Sequence, residues 1–123
     1  MMSRSLIALT KLALPHLLES KGNVVNISSE TGQAATERRL FYALTKATVD
    51  HFTRCLAKEF GPKGVRVNAV SPGYIPETDL LSRIGYTDSD KERLIKRASE
   101  NYPLQRTGTL EEVCDSVILL HRI

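Results

Sequence analysis

A short β-branched run, VVNIS at residues 24–28, is followed by a long helical pattern at 40–60 and a second β-branched run, VRVNAV at 65–70. No other feature constrains the fold as strongly. Two buried strands joined by one helix form a βαβ unit, with parallel strands and a crossover that is right-handed in nearly all cases. The intervening helix carries Phe41, Leu44, Phe52, Leu56 and Phe60, which read as one broad apolar face. Gly61-Pro62 predicts its end, through a left-handed glycine followed by a residue that cannot continue a helix.

The flanks extend the pattern. Leu6, Leu9, Ala13 and Leu17 recur at spacings of three and four and predict a helix over 5–18 buried on one face. Ser71-Pro72-Gly73 closes the second strand in a turn, and the segment up to Gly85 reads as irregular, with Pro76 inside it. Ser89-x-x-Glu92 matches a capping box opening a charged helix to about residue 101. Thr109-x-x-Glu112 is a second box, opening a last helix whose Val113, Val117 and Leu120 point one way.

A chain of 123 residues, 41% hydrophobic and 25% charged, fits one globular domain rather than a disordered or membrane protein. Its net charge is +3, but bases and acids alternate, as in TDSDKERLIKRASE, so a solvated helix face is expected and no nucleic-acid partner. Cys55 and Cys114 lie far apart without a partner at metal-ligand spacing, which predicts neither a disulfide framework nor a metal site and makes a reducing, cytoplasmic setting the expectation. The opening MMSRSLIALTKLALPHLL is interrupted by Lys11 and Pro15, and falls short of a membrane span. His16, His51 and His121 receive no function, Asn68 reads as a strand residue, and Cys55 reads as packing.

In an open parallel sheet, ligands bind beyond the carboxyl ends of the strands. Ser28-Ser29 ends the first strand, Pro72-Gly73 follows the second, and Tyr42 and Lys46 stand in the first turns of the helix between them. Four helical residues rise roughly 6 Å, one turn, so both side chains can face one pocket. A phenol titrates near about 10 in water and is a poor base at neutral pH. A neighbouring ammonium favours the phenolate, and a serine hydroxyl can donate to a carbonyl oxygen while the tyrosine gives or takes the proton. Reduction of a ketone or oxidation of an alcohol requires that set.

NVVNISS, then FYALTK, then GVRVNAVSPG resemble the C-terminal half of the short-chain dehydrogenase/reductase family. Ser29 precedes Tyr42 by thirteen residues (42 − 29), the family's usual spacing, and YPLQRTGTLEEV at 102–113 resembles its segment before the last helix. The resemblance implies an α/β fold: a partial Rossmann-like, doubly wound parallel sheet in three layers, with residues 1–123 forming a single partial NAD(P)-binding domain. It further implies that Tyr42 is the general acid/base, that Lys46 lowers its pKa and holds the nicotinamide ribose, and that Ser29, or else Ser28, orients the carbonyl. Pro72, Gly73 and Ile75 would line the nicotinamide, Thr78 would lie near its carboxamide, and residues 74–101 would form a mobile substrate lid. The implied cofactor is NAD or NADP, the implied substrate a small carbonyl or alcohol. The helices at 5–18 and 40–60 would join copies of the chain in a homo-oligomer.

Some of the family pattern falls outside these residues. The 123 residues hold no glycine-rich turn after a first strand, where such proteins seat the pyrophosphate, and only two strands are readable against about six in a complete doubly wound sheet. The family's earlier strands and its last strand are therefore missing from the pattern. Thr78 comes one position later than the family places it. The asparagine of the family's proton relay would fall at or next to Met2, and methionine relays no proton. A second reading is a non-catalytic module that pairs with a complete family member.

Overall fold

The computed structural model describes residues 2–35 and 37–123, with the side chains of Met2 and Ser3 outside that description. Helix α1 (Met2–Ser20) precedes strand β1 (Asn23–Ile27), helix α2 (Leu40–Phe60) and strand β2 (Arg66–Val70). Helices α3 (Leu80–Arg83), α4 (Asp88–Asn101) and α5 (Leu110–Arg122) follow. The strands pair in parallel, from Asn23 opposite Arg66 to Ile27 opposite Val70. This is the predicted α/β architecture with helices on both sheet faces.

Alternation along the strands assigns those faces. Val24 and Val67 pack with Phe60, Val65, Leu56 and Ala57 and with Leu14, Leu17 and Leu18 of α1. On the same face Asn26 is buried, its Nδ2 donating to Thr53 Oγ1 of α2 at 2.9 Å. The opposite face meets α5, where the Arg66 guanidinium donates to the Leu120 and His121 carbonyls at 2.9 and 3.1 Å. Those carbonyls lie at the helix end, where the backbone alone cannot satisfy them. Val113, Val117 and Leu120 are half-buried, as their spacing predicts.

Several local expectations are corrected. Gly61 is helical (φ −54°), and the left-handed residue is Gly64 (φ 89°), after a 3-10 turn over Gly61–Lys63 that lets the chain enter β2. The box opening α4 is Thr87 with Asp90, whose side chains and backbone N–H groups cap each other reciprocally, and Ser89 lies inside the helix. The segment read as irregular contains the single turn α3. In α1 the buried side is carried by Thr10, with Leu14, Leu17 and Leu18 half-buried, while Leu9 is 67% exposed. In α2, Phe41 (82%) and Leu44 (56%) also face outward.

Candidate active site

Strand β1 ends where α2 begins its packing, and Lys46 joins the two. Its Nζ donates to the Ile27 carbonyl at 2.8 Å, and the side chain is buried. Burial lowers the Lys46 pKa from its ordinary value, and the Asp50 carboxylate, one turn on, pulls it back up. Tyr42 stands one turn earlier, with Lys46 Nζ 5.6 Å from the centre of its ring. One of the three ammonium N–H groups is spent on Ile27, which leaves two for a ligand.

The two serines differ in what their hydroxyls do. Ser28 Oγ donates to the Lys46 carbonyl at 3.1 Å, so its proton is committed to holding α2 against β1. Ser29 caps the 3-10 turn Glu30–Gly32, and its Oγ accepts from Thr31 N at 3.3 Å and Thr31 Oγ1 at 3.0 Å. A hydroxyl has two acceptor lone pairs and one hydrogen, so Ser29 keeps its hydrogen for a further acceptor. Gly32 brings this turn onto α2, since a Cβ there would lie 2.8 Å from the Lys46 backbone carbon.

The turn after β2 is stitched to the turn after β1, with Glu30 N donating to the Pro72 carbonyl at 3.0 Å. Ser29, Tyr42, Lys46, Pro72, Gly73, Ile75 and Thr78 all line one cleft of about 230 Å³ at the carboxyl ends of both strands. Leu80, Leu81 and Ile84 from the 74–101 segment line it as well. Thr78 reaches the cleft, but its hydroxyl turns back to donate to the Ile75 carbonyl at 3.1 Å. The position expected for the relay asparagine falls at or next to Met2, whose side chain lies outside the described residues.

Sequence reasoning missed Tyr102, Glu30 and Arg39. Tyr102 Oη donates to Glu30 Oε1 at 2.7 Å and accepts from Tyr74 N at 3.2 Å. Burial and the Glu30 carboxylate raise its pKa above the ordinary phenol value. Gly73 abuts the same ring, because a Cβ there would meet Tyr102 Oη at 2.9 Å. Arg38 Nη1 pairs with Asp90 Oδ1 at 3.0 Å, and the Arg38 guanidinium carbon lies 5.2 Å from the centre of the Tyr86 ring. The YPLQRTG stretch was visible in the sequence, but no local pattern tells that its tyrosine reaches Glu30.

Fold and cleft together define an α/β unit with a cleft at the carboxyl edge of a parallel sheet. The family model described as enoyl-(acyl carrier protein) reductase matches residues 1–122. The chain is 40% identical over 112 residues to L-fucose dehydrogenase of Bos taurus, covering 91% of this chain and 41% of that protein. It is 40% identical over 99 residues to 3-oxoacyl-(acyl-carrier-protein) reductase of Aquifex aeolicus, covering 80% and 37%. A short-chain dehydrogenase/reductase of Caenorhabditis elegans solved with cofactor superposes with a TM-score of 0.83 at 32% identity, covering 96% of this chain and 45% of that one. ElxO with NADP bound superposes at 0.71 and 30% identity, covering 91% and 44%. The chain belongs to the short-chain dehydrogenase/reductase family. It spans about 41% of the L-fucose dehydrogenase length.

Proposed function

We propose that this chain supplies the proton-transfer and nicotinamide-facing half of an NAD(P)(H)-dependent oxidoreductase that interconverts a small carbonyl and its alcohol. The observation carrying this reading is the convergence of Ser29, Tyr42, Lys46 and the 72–75 turn on one cleft. The residues fit the nicotinamide-ribose end of the cofactor: Lys46 has two uncommitted N–H groups, and residues 72–75 form a wall beside Tyr42. When bound, the reduced cofactor supplies a hydride to the carbonyl carbon. Tyr42 gives its phenolic proton to the carbonyl oxygen in reduction and takes it back in oxidation. Ser29 donates its free hydrogen to that oxygen and fixes it opposite Tyr42, while Lys46 steadies the phenolate and holds the ribose hydroxyls. Either NAD or NADP presents the same ribose to these residues. Cys55 and Cys114 are free and exposed, which supports a reducing, cytoplasmic setting, and among the described residues no helix is long and apolar enough to cross a membrane.

The test restores the N-terminal part from a relative, so that cofactor affinity and turnover are measured on one protein. Tyr42→Phe is expected to abolish turnover with cofactor affinity nearly intact, and Lys46→Met to damage both. Ser29→Ala is expected to lower turnover roughly 10² to 10³-fold, the loss typical of one transition-state donor, whereas Ser28→Ala acts on stability. Parental turnover in Tyr42→Phe overturns the reading. A second reading, a module that pairs with a complete relative, is supported by the outward-facing Leu9, Leu12, Phe41 and Leu44. Co-sedimentation with a full-length relative decides it.

A further inference from the structure

We propose that a second cavity beside the catalytic cleft selects substrates bearing a carboxylate, and that Arg39 is the residue that receives it. The proposal rests on the catalytic reading only for where the reacting carbonyl sits; the anion site stands on its own residues.

The cavity has a volume of about 290 Å³ and shares Glu30, Arg39 and Tyr74 with the cleft, so one molecule can occupy both. Its charged lining is Arg39, Arg97 and Glu30. The one acid is already engaged, since Glu30 Oε1 accepts the Tyr102 hydroxyl at 2.7 Å. The cations therefore outnumber the acid facing a ligand.

Neither Arg39 nor Arg97 pairs with a carboxylate among the described residues, and Arg39 is the one that lines both the cavity and the cleft. Its Nε is buried without a hydrogen-bond partner. Its neighbour Arg38 shows the contrast, being committed to Asp90. The Arg39 guanidinium carbon lies 6.0 Å from the centre of the Tyr86 ring, a cation–π contact. Its Nη groups, for which no hydrogen bond is found among the described residues, match a carboxylate in two parallel bonds. Arg39 is also the N-cap of α2, which has no side-chain cap and no acid in its first turn. The positive end of that helix adds to the attraction for an anion.

Acetoacetate and its methyl ester probe the site, differing in the carboxylate charge. The 123-residue chain, labelled with ¹⁵N, is titrated with each while the arginine Nε–H resonances are followed, Arg39 being assigned by its loss in Arg39→Met. The acid is expected to bind roughly tenfold to a hundredfold more tightly than the ester, the range for a hydrogen bond to a charged group, and to shift the Arg39 Nε–H signal. Arg39→Met should reduce acid binding to the ester's level, with Arg39→Lys keeping part of the preference. Tyr42→Phe should leave the preference intact, which separates this site from the proton-transfer assignment. Equal binding of acid and ester, as a neutral hydroxyl-reading pocket would give, overturns the proposal, as does a preference that survives Arg39→Met. Should Arg39→Met fail to fold, an Arg39 Nε–H signal unmoved by acetoacetate in the parent overturns it equally.

Discussion

At the scale of single residues, the site depends on positions where nothing larger than hydrogen fits. A Cβ at Gly32 would lie 2.8 Å from the Lys46 carbonyl carbon and 2.9 Å from Ala47 N, both backbone atoms of α2 that cannot swing aside. Gly32→Ala is therefore expected to cost roughly 1 to 3 kcal/mol, as overpacking does, and to push Lys46 away from Ile27. Gly61→Ala is its control, because Gly61 is helical and a Cβ there meets nothing within 4 Å. Urea midpoints of the two variants check the claim, and equal midpoints contradict it. No local pattern marks Gly32 as a point of close approach, since the backbone it meets comes from fourteen positions on (46 − 32). Tyr42 and Lys46 were legible because one helical turn fixes their relation without help from the rest of the fold. Between Ser28 and Ser29 the sequence left a choice, and their hydrogen-bond partners differ: Ser28 Oγ donates to the Lys46 carbonyl, whereas Ser29 Oγ accepts from Thr31. Arg39 and Tyr102 were not legible, because what distinguishes them is a missing partner in one case and a partner 72 residues away in the other.

At the scale of elements, caps proved readable where one box stood alone. Thr109 and Glu112 open α5 as read, whereas Ser89-x-x-Glu92 lost to Thr87 and Asp90 two residues earlier. The earlier pair wins because Thr87 has the extended backbone of a cap and Asp90 is also held by Arg38 and Arg93. In α1 periodicity found the helix but not the whole of its buried side, for a related reason: LIALTKLALPHLL is apolar on several sides, so the pattern fits more than one buried face. The α5 box gives a pH prediction. Arg106, then the Thr109 backbone N–H, hold the Glu112 pKa down from 4.5 to about 2. The folded state thus binds that proton more weakly than the unfolded state, so its contribution is full above 4.5 and disappears as the pH falls toward 2. Hydrogen exchange at the first-turn amides of α5, corrected for intrinsic rates, should show protection falling across that window. Glu112→Gln should remove the step. A parent whose first turn keeps constant protection through the window contradicts the assignment.

At the scale of the whole molecule, the surface is too large for the mass. A compact monomer of 13.7 kDa is expected to expose about 6,600 Å² by the usual scaling, and this chain exposes 8690 Å². Part of the difference lies at the sheet, since a pair of strands has two open edges and three or more are ordinarily needed for independent stability. Another part is the outer side of α1 and α2, where Leu9 (67%), Leu12 (75%), Leu40 (64%), Phe41 (82%) and Leu44 (56%) face outward. The sequence showed these residues as apolar helical positions but could not say that the sheet reaches only the other side of each helix. The two sources of excess surface predict different remedies. If the helical face drives association of the isolated chain, Phe41→Glu places a charge at its most exposed aromatic and should weaken self-association by roughly tenfold or more, the order of losing one buried aromatic anchor. Because Phe41 makes little contact within the chain, the folded state should be spared and the far-ultraviolet spectrum unchanged. Sedimentation velocity over a concentration series reads the outcome directly. A parent that sediments as a monomer throughout, or a Phe41→Glu variant that associates as the parent does, removes the helical face from the account and leaves the open strand edges to explain the surface.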